Sequence, residues 1–199
     1  MNSIVSFFIR AFARISGKLS FLVYQIVFAN IEFNRGVRFV SFPSVFASNS
    51  SKIILEENVV LNSLNFGYHL NMYSKVKLLA DGKNSKISIG KNTRLHGSCI
   101  HAQGEIIIGE NCLIAANCQI FDSNAHELSI TNPANRINTI DQPKKIDIGN
   151  NVWLGTGCII LPGTKIGNGS VIAANSVVKG EVPANCLFGG NPAKLLKQY

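Results

Sequence analysis

Charge is what this chain has least of. Only 15% of its 199 residues are Asp, Glu, Lys or Arg, against roughly 25% in an ordinary soluble domain. Acidic residues are the scarcer kind, 11 against 19 basic ones, and the net charge is +8. An anionic partner follows: a nucleotide-bearing cosubstrate or an acidic lipid surface. Nucleic acid is not expected, because no dense Lys/Arg run interleaves with aromatics and no reader-module fingerprint occurs. No CxxC pair is present, which argues against a structural zinc site, and no metal is expected. The five cysteines, Cys99, Cys112, Cys118, Cys158 and Cys186, are odd in number and read as reduced core thiols of a reducing cytosol. Long hydrophobic runs are missing too. In the front end the longest uncharged run, Leu19 to Ile31, falls short of the roughly 20 residues that span a bilayer. Charges inside the apolar stretch and the lack of a cleavage site argue against a signal peptide.

What is abundant is apolar residues, 46% of the chain, enough for a substantial core. Residues 1–35 form a separate amphipathic helical region. Ile4, Phe8, Ala11, Ile15, Leu19, Leu22 and Ile26 recur at steps of three and four, as one helical face requires. Arg10, Arg14 and Lys18 recur on another face. Two readings stand: residues 1–30 lie on a membrane surface with the basic side chains toward headgroups, or they pack on the main domain or a sister subunit.

Beyond this segment the chain repeats in sixes. Ile148-Gly-Asn-Asn-Val152-Trp is followed in register by units starting at Leu154, Ile160, Ile166, Ile172 and Val178; earlier copies start at Ile89, Leu95, Ile108 and Ile114. The first residue is aliphatic and points inward, the fifth is small and also faces in, and the sixth faces out. The fourth is mostly Asn or Gly, the types that best tolerate positive φ, so each unit ends in a tight corner. Three short strands and three corners close a triangular coil, and stacked coils bury a continuous aliphatic column. On this register Cys99, Cys112, Cys118 and Cys158 point inward. Residues 60–85 fit the register poorly and receive no threading.

These units resemble the hexapeptide repeat of left-handed parallel β-helix acyltransferases. The fold class implied is all-β, a left-handed parallel β-helix over 36–185, with an N-terminal helical extension, a protruding loop at 121–145 and a C-terminal tail at 186–199. "FDSNAH", followed by "IDIGNNVWLG", is similar to the maltose, galactoside and polysaccharide O-acetyltransferase branch. The resemblance implies an enzyme that moves an acetyl group from acetyl-CoA to a sugar hydroxyl, built as a homotrimer because grooves between prisms hold the cosubstrate. His126 would be the general base, imidazole being the side-chain type suited to taking and returning a proton at neutral pH. Asp122 could orient it or merely form a turn. Asn117, His96 and Arg136 are candidates for the acceptor side, although a corner explains Asn117 and bracing the loop explains Arg136. Trp153, Thr156 and Ala174 would line the pantetheine groove, with Lys179 and Gly180 at the next edge. Lys194 and Lys197 of the "GNPAK" ending would meet the CoA phosphates. The acceptor expected is a surface polysaccharide or lipid-linked glycan, handled in the cytoplasm at the inner face of the membrane. Two alternatives remain: a γ-class carbonic anhydrase-like zinc protein using His69, His96 and His101, and a β-helix scaffold without catalysis.

Overall fold

The computed structural model describes residues 3–199; residues 1 and 2 of the expected front segment lie outside the described residues. Among the described residues one α-helix, Ser3–Val27, is followed by parallel strands that begin at Ile31–Phe33, ahead of the expected start of the β-helix, and a 3-10 turn lies at Pro133–Asn138. The strands fall into three sheets in strict rotation. The first face contains Ile31–Phe33, Lys52–Leu55, Lys86–Ile89, Glu105–Ile108 and Ile146–Ile148. The second contains Arg38–Val40, Val60–Asn62, Arg94–His96, Leu113–Ile114 and Trp153–Leu154. The third contains Ser44–Ala47, Lys77–Ala80, Cys99–Ala102, Gln119–Phe121 and Ile159–Ile160. Each layer continues the one below at about 4.8 Å, the spacing of hydrogen-bonded strands.

Identical side chains stack because the repeat returns to the same face. Ile31, Ile53, Ile87, Ile106 and Ile146 are partners in register, and all are buried. The corners are left-handed where Asn or Gly sits: φ is +59° at Asn92, +56° at Asn111, +58° at Asn151 and +69° at Gly157. Their side chains also tie layers together. The Asn58 amide donates to Asn92 Oδ1 at 3.2 Å, and that of Asn92 to Asn111 Oδ1 at 3.0 Å.

One inward assignment needs correction. The corner before Cys99 is shortened: Gly97 takes φ +45°, Ser98 fills the small buried place, and Cys99 turns outward and is half-buried. Cys186, after the corner at Asn185, is buried instead, as are Cys112, Cys118 and Cys158. Burial pushes the Cys112 thiol up from its ordinary range, so it stays protonated.

The helix packs with the face of its smallest residues. Ala13, Ser16, Gly17 and Ser20 are buried, and the Ala13 carbonyl accepts from Ser41 N at 2.9 Å. A Cβ at Gly17 would lie 2.1 Å from the Phe39 carbonyl oxygen, so only glycine permits this approach. Phe21 and Tyr24 pack beside Phe39. The stripe Ile4, Phe8, Ile15, Leu19, Leu22 and Ile26 is left exposed. The C-terminal residues are no loose tail: Cys186–Gly190 joins the second face, and Ala193–Gln198 pairs with it antiparallel.

The corner chemistry is testable. Asn151→Ala should destabilise by about 1–2 kcal/mol, the cost of a Cβ in a left-handed conformation without the amide, while Asn151→Gly stays near wild type. Ile106→Ala should cost about 2–5 kcal/mol. Thermal melts of the three variants check both.

Candidate active site

Two irregular stretches break the prism, and they frame the site. The first, between Asn62 and Lys77, is the irregular part of the 60–85 stretch left without a threading; Val60–Asn62 and Lys77–Ala80 on either side are regular strands. It is folded back by specific bonds: Asn65 Oδ1 accepts from Met72 N, Ser63 Oγ from Val76 N, and Ser74 Oγ donates to the Gly97 carbonyl at 2.6 Å. Asn117 holds it to the next coil. Its amide donates to the Asn71 carbonyl at 2.9 Å, and its Oδ1 accepts from Tyr73 N at 3.3 Å. Asn117 is therefore a corner, with φ +66°, and a clamp.

This segment lays Tyr68 against His96, rings stacked at 4.8 Å. Together they wall a cavity of about 450 Å³ on the second face, lined by Tyr68, His96, Trp153, Thr156, Ala173 and Ala174 among others. The structure thus brings together three of the expected cosubstrate residues and one acceptor candidate. Trp153 is 52% exposed, stacked between Leu113 and Val171 in an outward column. Thr156 donates to the Ala116 carbonyl at 2.8 Å. Small residues keep the walls close: a Cβ at Gly155 would meet Ala174 N at 2.6 Å. The exposed surface of the cavity is mostly apolar. Tyr68, His69 and Leu70 of the wall were not legible beforehand, since nothing in their spacing signals a lid.

His96 is neutral here. Burial, then Arg94 and then His69, holds its pKa below the ordinary histidine value. Its Nδ1 lies 3.1 Å from the Asn62 amide nitrogen. An amide N–H can only donate, so Nε2 carries the ring proton.

The second irregular stretch is the arm that leaves after Phe121 and re-enters at Ile146. His126 lies on it, exposed. Its Nδ1 sits 3.1 Å from the Thr139 carbonyl oxygen, and the Thr139 hydroxyl oxygen accepts from Glu127 N at 2.9 Å. Asp141 steadies the same turn by accepting from Asn124 N and from the Asn124 amide. Arg136 braces the arm, donating from Nε to the Leu128 carbonyl at 2.6 Å.

Asp122 does not orient His126. Its carboxylate is fully buried at the arm's base, accepting from Gln103 N and Gly104 N, both at 2.8 Å. Burial pushes its carboxyl up, and these two N–H groups pull it partly back. The partner that orients the imidazole is a backbone carbonyl, which sequence alone could not reveal.

The remaining candidates lie elsewhere. No arm residue lines the Trp153 cavity. Lys179 is exposed beside the half-buried corner Gly180, and Lys194 and Lys197 stand on the terminal strand, Lys197 over the Tyr199 ring. His96 and His101 sit on different faces of the prism, and His101 is engaged with Asp81 at 2.8 Å. Within one chain they cannot close on one ion, and among the described residues no group of three metal-binding side chains forms.

Comparison with known proteins agrees with this fold. Residues 145–180 match the model for bacterial transferase hexapeptide (six repeats), and 86–121 match that for the hexapeptide repeat of succinyl-transferase. WbbJ of Escherichia coli K12, whose name places it in O-acetyl transfer for lipopolysaccharide biosynthesis, is 30% identical over 89% of this chain and 87% of its own. The polysialic acid-specific acetyltransferase NeuO is 29% identical over 84% of this chain and 85% of its own, with a TM-score of 0.62. A Vibrio cholerae hexapeptide-repeat acetyltransferase with acetyl-CoA bound is 34% identical over 56% of this chain and 60% of its own, with a TM-score of 0.52. The chain belongs to the hexapeptide-repeat O-acetyltransferases, left-handed parallel β-helix enzymes that take their acetyl group from acetyl-CoA.

The depressed histidine gives a pH prediction. The unfolded chain binds a proton at His96 below about 6.5, where the folded protein resists it. Stability present at pH 7.5 is therefore lost as pH falls below that value. The drop in thermal midpoint between pH 7.5 and 5.5 should be smaller in His96→Gln than in wild type.

Proposed function

We propose that this enzyme acetylates a sugar hydroxyl of a bacterial surface polysaccharide or lipid-linked glycan, with His126 as general base. The observation that carries the reading is the single bond made by its ring. A backbone carbonyl only accepts, so the proton of the neutral imidazole resides on Nδ1, bonded to Thr139 O at 3.1 Å. Nε2 then presents its lone pair to solvent, held in one orientation by a braced arm. In the reaction Nε2 takes the sugar O–H proton as the oxygen attacks the thioester carbonyl. The tetrahedral oxyanion collapses, the C–S bond breaks, and the imidazolium returns the proton to the thiolate. The buried cysteines take no covalent part.

The working unit in this reading is a homotrimer. The arm leaves between strands of the third and first faces, whereas the Trp153 cavity opens on the second. A neighbouring prism would bring a cavity to the arm. Leu128, Ile130, Ile137 and Ile140 support this: all lie on the arm and all are 72–80% exposed, a costly display unless another copy covers it. Acetyl-CoA would lie along Trp153, Thr156 and Ala174, with Lys179 and Gly180 at the next edge and its phosphates near Lys194 and Lys197. His96 and Asn117 would border the acceptor, and Arg136 would shape the arm.

The exposed stripe of the helix would rest on the inner face of the cytoplasmic membrane. Ile4, Phe8, Ile15, Leu22 and Ile26 face outward, and Arg10, Arg14 and Lys18 stand beside them, the pattern of an interfacial helix. Among the described residues no helix is long and apolar enough to cross a bilayer.

Thiol release from acetyl-CoA against a panel of sugars tests the chemistry. His126→Ala should lower kcat by about 10²–10⁴-fold with acetyl-CoA binding retained; undiminished turnover would end the proposal. For the membrane, Phe8→Glu/Ile15→Glu/Leu22→Glu should lose binding to anionic vesicles while keeping the wild-type melting temperature.

A further inference from the structure

Where the helix crosses the first coils, three compartments lie in line. The middle one is a groove lined by Arg10, Arg14, Arg38, Arg94, Asn62 and Gly67, among others. Arg10 and Arg14 are one helical turn apart, about 6 Å. Arg38 and Arg94 point outward from the same column of the second face, with Val60 between them, so they stand about 9–10 Å apart. The Arg10 guanidinium lies over Gly67, where an added Cβ would come within 3.0 Å of its terminal nitrogen. No Asp or Glu lines the groove. Among the described residues, every carboxylate that forms an ion pair pairs with a lysine or with His101, and none with these arginines. Four like charges brought together without a counter-charge repel one another. Guanidinium forks grip phosphate oxygens two at a time.

On one side the groove runs into an apolar slot of about 370 Å³ between helix and prism. Arg14, Arg38 and Val40 are common to both, and Gly17, Lys18, Phe21, Val37 and Phe39 line the rest of the slot, whose surface is mostly apolar. On the other side Tyr68 and His96 are common to the groove and the Trp153 cavity. The chain therefore offers an apolar slot, an arginine cradle and a cavity in sequence, on a helix whose outer face is bare and apolar.

We infer that this arrangement is a binding site for an isoprenyl diphosphate-linked sugar: the first isoprene units in the Phe21–Val37–Phe39 slot, the diphosphate among Arg10, Arg14, Arg38 and Arg94, and the glycan across Tyr68 and His96 toward Trp153. The inference deepens the lipid-linked acceptor reading and rests on it for the identity of the glycan. The diphosphate of CoA is the competing source of the same chemistry. Lys194 and Lys197 stand at the opposite end of the same face, beyond Val171 and paired with the last strand of the prism, which leaves the arginine cradle to the acceptor.

Calorimetric titration of the full chain tests the site without any acetyl transfer, so failure of the catalytic reading and failure of this one are separable. The probes are inorganic pyrophosphate, geranyl diphosphate and acetyl-CoA, against wild type and the Arg38→Ala/Arg94→Ala double variant. Both positions are exposed, and a thermal melt confirms that the variant is folded. Geranyl diphosphate should bind one per chain and about tenfold more tightly than pyrophosphate, as one buried isoprene unit allows. The double variant should weaken both by about tenfold or more, with acetyl-CoA affinity kept within about twofold. An Arg38→Lys/Arg94→Lys variant should fall between, having charge without the fork. Equal binding of geranyl diphosphate by wild type and the alanine variant overturns the proposal. So does a parallel loss of acetyl-CoA affinity, which would give the cradle to CoA. Displacement of geranyl diphosphate by phosphatidylglycerol vesicles, but not by pyrophosphate, would give it to bulk lipid headgroups and also overturn it.

Discussion

Everything in this molecule depends on residues that can hold a positive φ at regular intervals. A coil of three short strands closes only if the chain turns sharply between them, and a β-carbon opposes that conformation by about 1–2 kcal/mol. Asparagine relieves the conflict in two ways. It tolerates the left-handed region, and its amide can bond the corner of the next layer, as Asn58 does to Asn92 and Asn92 to Asn111. Edges made this way are stiff. The faces between them become fixed frames on which outward residues keep constant spacing, and catalysis borrows its order from that frame.

In the proposed reading the chemistry is divided among parts of different character. The cavity wall is frame: Trp153, Thr156 and Ala174 sit on or beside strands. The imidazole is carried on an excursion, and its orientation comes from Thr139 on the returning limb of the same excursion. One chain places the two on different sides of the prism. In the proposed homotrimer, a neighbouring copy is what would bring a rigid face to the projecting imidazole.

The repeat was legible because each of its positions answers to one physical demand, inward bulk, left-handed turn or outward display. The excursion that carries His126 was legible because it left a gap between units that otherwise followed that pattern. Other features were hidden for equally physical reasons. Ser98 displaced Cys99 from the interior because Gly97 shortened one corner, a change invisible to a fixed count of six. The 62–77 segment folds through side-chain to backbone bonds of Asn65, Ser63 and Asn117, which leave no periodicity. Asp122 stood four residues before the histidine and invited a catalytic role, yet its two oxygens were already committed to N–H groups far away in sequence. Helix amphipathicity was read correctly as a stripe, but the stripe is the face left open; the buried face is the small one, Ala13–Gly17–Ser20.

The place of Asp122 bears on how such enzymes diversify. Its carboxylate fastens the outgoing limb of the arm to Gln103 and Gly104, and its carbonyl accepts from Lys144 N at 2.7 Å on the way back. Both limbs are thus sealed to the prism within one layer, whatever lies between them. The arm behaves as a cassette clipped to a chassis. Residues between the two limbs can therefore change in number without breaking the bonds that hold the arm's ends to the prism.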